Sequence, residues 1–170
     1  MRIAVIAYEE FTDVDLFLPF DFFHRVKVPY GADYQGDWSV RLLSDQSRLV
    51  SYSGVTIEAH GGLAEAADAD AVFVVSGDGS RAKLADPAFM QSLRLDPERQ
   101  IIGAIDSGAL ILGGLGLLDG LSATTYPTIL HELEAMGVRS EMQALVVHGN
   151  IATAGAALRR WISVRGWWGG

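Results

Sequence analysis

Short runs of apolar residues recur along the chain and predict buried β-strands. Three of them, Ile3–Ala7, Ala71–Val75 and Gln100–Ile105, are rich in β-branched residues and are followed by small or polar residues. Apolar runs of this length are typical of parallel strands that are covered on both faces. Trp38–Leu43 alternates polar and apolar residues, which predicts a further strand with one face in the core.

Segments with helical signals lie between the predicted strands. Thr12 or Asp13 can cap a helix that carries several apolar side chains, and we expect Pro19 to kink or divide this helix. A second helical segment, Arg81–Leu95, is interrupted at Asp86-Pro87, where proline suits the first turn of a helix. Strands and helices therefore alternate along much of the chain.

This alternation predicts an α/β fold with a doubly wound, flavodoxin-like and mostly parallel sheet, with helices on both faces. Leu145–His148 and Ile151–Thr153 flank a glycine turn and predict a β-hairpin. Ser122–Thr125 predicts another short strand. We expect a single domain over residues 1–170, with an atypical C-terminal tail from about residue 158.

The segment around Asp106 is the strongest candidate for a functional site. A buried strand ends at Ile105, and a helix is expected to start at Ser107-Gly108. A reactive side chain at the apex of a strand–turn–helix is a nucleophile elbow. Ligands in open α/β sheets bind at this carboxyl edge, so Asp106 is predicted to face a ligand site.

The composition of the chain limits the reactions and partners that it can have. The chain has 170 residues, a formal net charge of −8 and no cysteine, which excludes disulfides, thiolate metal sites and thiol catalysis. The acidic balance and the absence of a Lys/Arg run argue against nucleic acid as a partner. No apolar run is long enough to span a membrane or to form a signal peptide, so we expect a cytoplasmic protein.

Three loops are expected to meet at the carboxyl edge of the sheet, and they bring carboxylates together. Asp15 on the first helix and Asp106 at the elbow would repel each other, which would raise the pKa of one of them and pair a general acid with a base or nucleophile. The N–H groups of Gly77, Ser107 and Gly108 could then bind a developing oxyanion. The alternative is that Asp106 only caps a helix and that Asp15 lies on the surface.

Several motifs occur together in an order that resembles a known family. They are Val14-Asp15-Leu16 with Pro19, Val75-Ser76-Gly77-Asp78-Gly79, Ile105-Asp106-Ser107-Gly108, Gly113-Gly114-Leu115-Gly116-Leu117-Leu118-Asp119-Gly120, Ala123-Thr124-Thr125 and Asn150-Ile151-Ala152-Thr153-Ala154-Gly155. Over residues 1 to about 158 this set resembles the ThiJ/PfpI superfamily, also called class I glutamine amidotransferase-like proteins. The resemblance is strongest to isonitrile hydratases and to the amidotransferase-like domains of some transcription regulators.

The resemblance implies a role for each matching position. Asp106 falls on the family's nucleophilic cysteine, and Asp15 on the acidic residue that hydrogen-bonds this cysteine and serves as acid and base in isonitrile hydratases. Ser107 stands where those enzymes have threonine. Ser76-Gly77-Asp78 stands at the proline-glycine-glycine oxyanion loop, and Tyr126 where a histidine is common. Cysteine-dependent activity is therefore excluded, and the substrate or oxyanion residues would be Gly77, Asp78, Gly108 and Tyr126.

We therefore expect a small-molecule hydratase (a lyase) or hydrolase, similar to isonitrile hydratases, with Asp106, Asp15 and Ser107 as its catalytic residues. The alternatives are an inactive binding, stress-response or regulatory module of the same fold, in which Asp106 imitates an oxidised cysteine, and a dimerisation domain. No cofactor and no metal are expected, since the histidines lack metal-ligand spacing. The partners would be a small molecule and a second copy in a homodimer, to which Trp167-Trp168 could contribute.

Overall fold

The structure is a computed structural model that describes residues 1–25 and 38–155. The predicted surface loop Val28–Asp37 lies outside the described residues. The C-terminal segment from Ala156, with the paired Trp167 and Trp168, lies outside them as well.

A central sheet of seven strands organises the described part of the chain. In spatial order its strands are β10 (Leu145–His148), β11 (Ile151–Ala154), β7 (Ile101–Ile105), β6 (Ala71–Val74), β1 (Arg2–Ile6), β2 (Ser39–Ser44) and β5 (Gly61–Gly62). All neighbours in this sheet are parallel except the hairpin of β10 and β11. The mostly parallel α/β architecture predicted from the sequence is therefore confirmed.

Helices cover both faces of the sheet because successive side chains of a strand point in opposite directions. The α-helices are α1 (Asp13–Arg25), α2 (Ser80–Leu84), α3 (Pro87–Ser92), α4 (Gly108–Gly114) and α5 (Leu130–Ala135). Ala4 and Ile6 of β1 pack in a core cluster with α3, α4 and α5. Ile3 and Val5 belong to a second cluster with Leu16 of α1.

Short elements complete the described chain. Two minor two-stranded sheets pair β3 (Arg48–Val50) with β4 (Thr56–Glu58) and β8 (Ser122–Ala123) with β9 (Arg139–Ser140). A 3-10 helix spans Leu63–Asp68 and precedes β6. No helix in residues 1–25 and 38–155 is long and apolar enough to cross a bilayer.

Two local predictions need correction. Pro19 does not divide the first helix, because α1 runs from Asp13 to Arg25 with the proline inside it, and a kink at this position stays a prediction. Packing of Leu16, Phe20 and Phe23 in the core cluster on this face holds the helix together on both sides of the proline. The predicted strand Ser122–Thr125 is limited to Ser122–Ala123 and pairs outside the main sheet.

Candidate active site

Asp106 occupies a sharp turn between β7 and α4. Its φ angle is +48°, a left-handed conformation that is costly for a residue with a side chain. The turn is held in place at its start, where the Asp106 N–H donates to the Ala154 carbonyl at 2.8 Å. The strand–turn–helix predicted around Asp106 is therefore present, with backbone strain at its apex.

Gly108 allows the elbow to pack directly against the neighbouring strand. A Cβ atom at Gly108 would lie 2.6 Å from the Val74 carbonyl oxygen and 2.7 Å from that of Val75. No real Cβ atom tolerates such distances to backbone oxygen, so a residue with a side chain would push α4 away from β6. The glycine thus fixes how closely the elbow approaches the end of β6.

Asp15 lies in the first turn of α1 and is only 1% exposed. The Ser76 hydroxyl, in the loop after β6, donates a 2.6 Å hydrogen bond to Asp15 Oδ2. A carboxylate in the first turn of a helix is also favoured by the helix dipole. The alternative that Asp15 is a surface residue is therefore wrong.

The Asp106 carboxyl group binds its proton unusually tightly. Its pKa is raised to about 6, first because burial penalises the charged form and second because the negative charge of Asp15 repels it. The N–H groups of Tyr126 and Ser107 and the Thr125 hydroxyl act in the opposite direction and lower this pKa. The N-cap residue of α4 is Ser107, and Asp106 instead interacts with a carboxylate from α1 and with a backbone N–H group from the segment after β8.

Tyr8 is a fully buried polar residue of the same cluster. It follows β1, and its hydroxyl donates to the Val75 carbonyl at 2.7 Å. Burial, and secondarily the negative charges of Asp106 and Asp15, hold the pKa of Tyr8 far above its usual range. Tyr8 is therefore a neutral hydrogen-bond donor at any physiological pH.

Ser107 links the elbow to the loop after β6. The Gly77 N–H donates to Ser107 Oγ at 3.0 Å, and Ser107 Oγ donates to the Gly77 carbonyl at 3.1 Å. The Gly77 N–H, predicted as a free donor for an oxyanion, is thus already engaged. Glycine is required here, because a Cβ atom would lie 2.3 Å from the Glu10 carbonyl oxygen.

The remaining predicted residues surround this cluster at different depths. Gly108 is buried at the start of α4, whereas Tyr126 is half-buried and directs its N–H to Asp106. Asp78 is exposed in the loop before α2, where its charge, like that of Asp106, raises the pKa of Arg81 after the larger effect of Glu132. Arg81 Nε donates to Glu132 Oε2 of α5 at 2.9 Å.

Sequence reasoning assigned no role to Tyr8 or Thr125, and it placed Ser76 in the oxyanion loop without a contact to Asp15. For Tyr8 and Ser76 the signal was their position, since each follows a predicted strand and the carboxyl ends of parallel strands share one edge. Thr125 is the last residue of the predicted strand Ser122–Thr125. Ser76 and Thr125 thus lie within the recognised motifs, whereas Tyr8 lies outside them. Residues 1–25 and 38–155 contain no group of three or more metal-ligating side chains.

The chain is similar to one family of known proteins over most of its length. Residues 1–161 match the sequence model of the DJ-1/PfpI family. The HTH-type transcriptional regulator CdhR of Pseudomonas aeruginosa is 34% identical over 90 residues, which cover 52% of this chain and 26% of the regulator. The match thus spans about a quarter of that protein.

Solved structures show the same fold. A ThiJ/PfpI family protein from Pseudomonas syringae is 24% identical, with a TM-score of 0.78 over 91% of this chain and 62% of that chain. Schizosaccharomyces pombe DJ-1 is 17% identical, with a TM-score of 0.72 over 92% of this chain and 84% of that chain. At these identities the two structures establish the fold alone.

Proposed function

Because this chain belongs to the DJ-1/PfpI family and carries a carboxylate at its elbow, we propose that it is a small-molecule hydratase or hydrolase in which Asp106 replaces the thiol of the family. The proposal includes a reaction of the kind carried out by isonitrile hydratases. One observation carries it: the strained elbow presents Asp106 next to buried Asp15, which helps to raise the pKa of Asp106 to about 6.

The raised pKa supports proton transfer near neutral pH. A carboxylate of ordinary pKa is a weak base at pH 7, whereas one with a pKa near 6 is still mostly ionised and is far more basic. Asp15 contributes its charge, and the Ser76 hydroxyl holds it in place. In this proposal Asp106 either attacks the substrate or activates water, and Asp15 supports the proton transfer.

A catalytically inactive binding or regulatory module is the second candidate. The engaged Gly77 N–H favours it, because a donor already bonded to Ser107 cannot bind an oxyanion without a rearrangement. In that case Asp106 would imitate the charge and shape of an oxidised cysteine. The similarity of part of the chain to a transcriptional regulator is compatible with such a role.

Turnover of small isonitriles and simple esters by the purified protein distinguishes the two candidates. We expect activity that is lost in both Asp106→Asn and Asp15→Ala, while Asp68→Asn, at an exposed aspartate of the 3-10 helix, retains it. An inactive parent with an active Asp106→Cys variant would instead favour the binding module. An Asp106→Asn variant with full activity would refute the carboxylate mechanism.

A further inference from the structure

The Thr125 hydroxyl is a buried polar group without a hydrogen-bond partner. Thr125 is only 1% exposed, and its Oγ1 has neither a donor nor an acceptor within hydrogen-bonding geometry. Leaving a buried hydroxyl unsatisfied is costly, so nearly all such groups in proteins are paired with protein or with a bound molecule. The orphaned hydroxyl therefore indicates a ligand position.

Thr125 faces the Asp106 carboxyl group, and its backbone is anchored there. The preceding Thr124 donates its N–H to Thr153 Oγ1 of β11 at 2.9 Å and its hydroxyl to the Gln143 carbonyl at 2.7 Å. The following Tyr126 donates its N–H to Asp106. With both neighbours held, the backbone of Thr125 is fixed beside Asp106.

From this geometry we propose that Thr125 Oγ1 and the Asp106 carboxylate together hold the water molecule that attacks the substrate, so that Asp106 is a general base and not the nucleophile. This inference rests on the proposed hydratase or hydrolase function, and it selects one of the two roles that were left open there for Asp106. It makes Thr125 a further catalytic residue, because its hydroxyl touches the reacting oxygen.

The chemistry of the two groups selects water as the ligand. The Thr125 hydroxyl lowers the pKa of Asp106 although its geometry is not that of a regular hydrogen bond, so both groups can still bind one further oxygen atom. That oxygen must accept a hydrogen bond from the Thr125 hydroxyl and also donate a hydrogen bond to the Asp106 carboxylate. Water does both, whereas a carbonyl oxygen cannot donate.

The step is balanced for an ester substrate. The water oxygen forms a bond to the carbonyl carbon while one of its protons passes to an oxygen of Asp106. The π electron pair moves to the carbonyl oxygen and returns as the bond to the leaving alkoxide breaks. The alkoxide then takes the proton from Asp106, which yields an acid, an alcohol and the original carboxylate.

Nuclear magnetic resonance tests the water site without a substrate. In the full chain we expect a nuclear Overhauser effect between the Thr125 methyl group and a long-lived water, together with an Asp106 pKa near 6 by carbon-13 titration. Thr125→Val should abolish the water signal at residue 125 and raise the pKa of Asp106, and Thr125→Ser should keep that pKa near the parent value. Thr128→Val, the same change at an exposed position three residues later, is the matched control.

The outcomes separate this inference from the proposed function. If the parent hydrolyses an ester, Thr125→Val should reduce kcat about 100-fold, the effect of a misplaced reactant, and Thr125→Ser should restore most of it. Loss of activity in Asp106→Asn with full activity and an unchanged Asp106 pKa in Thr125→Val would overturn the inference and leave the function intact. A bound water at Thr125 in a protein that turns over no substrate would overturn the proposed function and, with it, the attacking role of that water. Oxygen-18 from labelled water found in the Asp106 carboxyl group after one turnover would identify Asp106 as the nucleophile and overturn the inference.

Discussion

Ser107 and Gly77 are joined by a reciprocal pair of hydrogen bonds, although they lie 30 positions apart in the chain. The hydroxyl of Ser107 accepts the Gly77 N–H and donates to the Gly77 carbonyl oxygen. These two bonds attach the elbow to the loop after β6 and occupy the N–H group that an oxyanion would need. The same contact therefore stabilises the fold and determines whether the Gly77 N–H can bind an oxyanion.

Replacing Ser107 with alanine tests how much this contact stabilises the fold. Ser107→Ala should lower the free energy of unfolding by about 1–3 kcal/mol, because it leaves the buried Gly77 N–H without an acceptor. Urea denaturation followed by circular dichroism measures the change. Ser92→Ala, which removes a hydroxyl that donates to helix carbonyls of α3 nearer the surface, should stay within about 0.5 kcal/mol of the parent. Equal losses in the two variants would contradict the assigned role of Ser107.

Gly108→Ala tests the close packing of the elbow. The new methyl group would meet the Val74 and Val75 carbonyl oxygens, so α4 must shift, at a cost of about 1–3 kcal/mol in the free energy of unfolding. Thermal and urea unfolding report this loss. Gly62→Ala is the matched control, because nothing lies within 4 Å of a Cβ atom there. A Gly108→Ala variant as stable as Gly62→Ala would show that the elbow does not need this approach.

The raised pKa of Asp106 predicts a dependence of stability on pH. The folded protein keeps this proton up to about pH 6, whereas the unfolded chain releases it near the ordinary value of 3.8. The stabilising contribution is therefore complete below about pH 4 and is lost as the pH rises through 6. Relative to Asp106→Asn, which cannot ionise, the parent should lose on the order of 2 kcal/mol of unfolding free energy between pH 4 and pH 7.

Urea denaturation of parent and variant at a series of pH values measures this difference. Asp70 provides a control of opposite sign, because the Arg2 N–H donates to its carboxylate and lowers its pKa. Relative to Asp70→Asn, the parent should lose stability as the pH falls through the lowered pKa. If the difference between parent and Asp106→Asn were flat from pH 4 to pH 7, Asp106 would not have a raised pKa.

The contribution of Asp15 to the pKa of Asp106 is measurable directly. Asp15→Asn removes the nearby negative charge, so the pKa of Asp106 should fall but should stay above its ordinary value, because burial is the larger cause. Carbon-13 titration of labelled aspartate reports it. Asp13→Asn removes the same charge two residues earlier in α1 and should shift this pKa less. Equal shifts in the two variants would mean that Asp15 has no special position.

The predictions that rested on local pattern held best. The apolar runs at β1, β6 and β7 form parallel strands because few arrangements other than the interior of a covered sheet bury them on both faces. The hairpin of β10 and β11 follows from its glycine turn. Pro19 does not divide α1, because packing against the sheet outweighs a local helix-breaking preference.

Other properties of the candidate site could be determined only from the tertiary structure. By itself the sequence determined that the chain has no thiol and that Asp106 stands between a buried strand and a helix. It could not determine the depth of Asp15, the engagement of the Gly77 N–H by Ser107 or the orphaned hydroxyl of Thr125. Each of these depends on segments far apart in the chain meeting at one edge of the sheet, where burial and nearby charge set the pKa of Asp106.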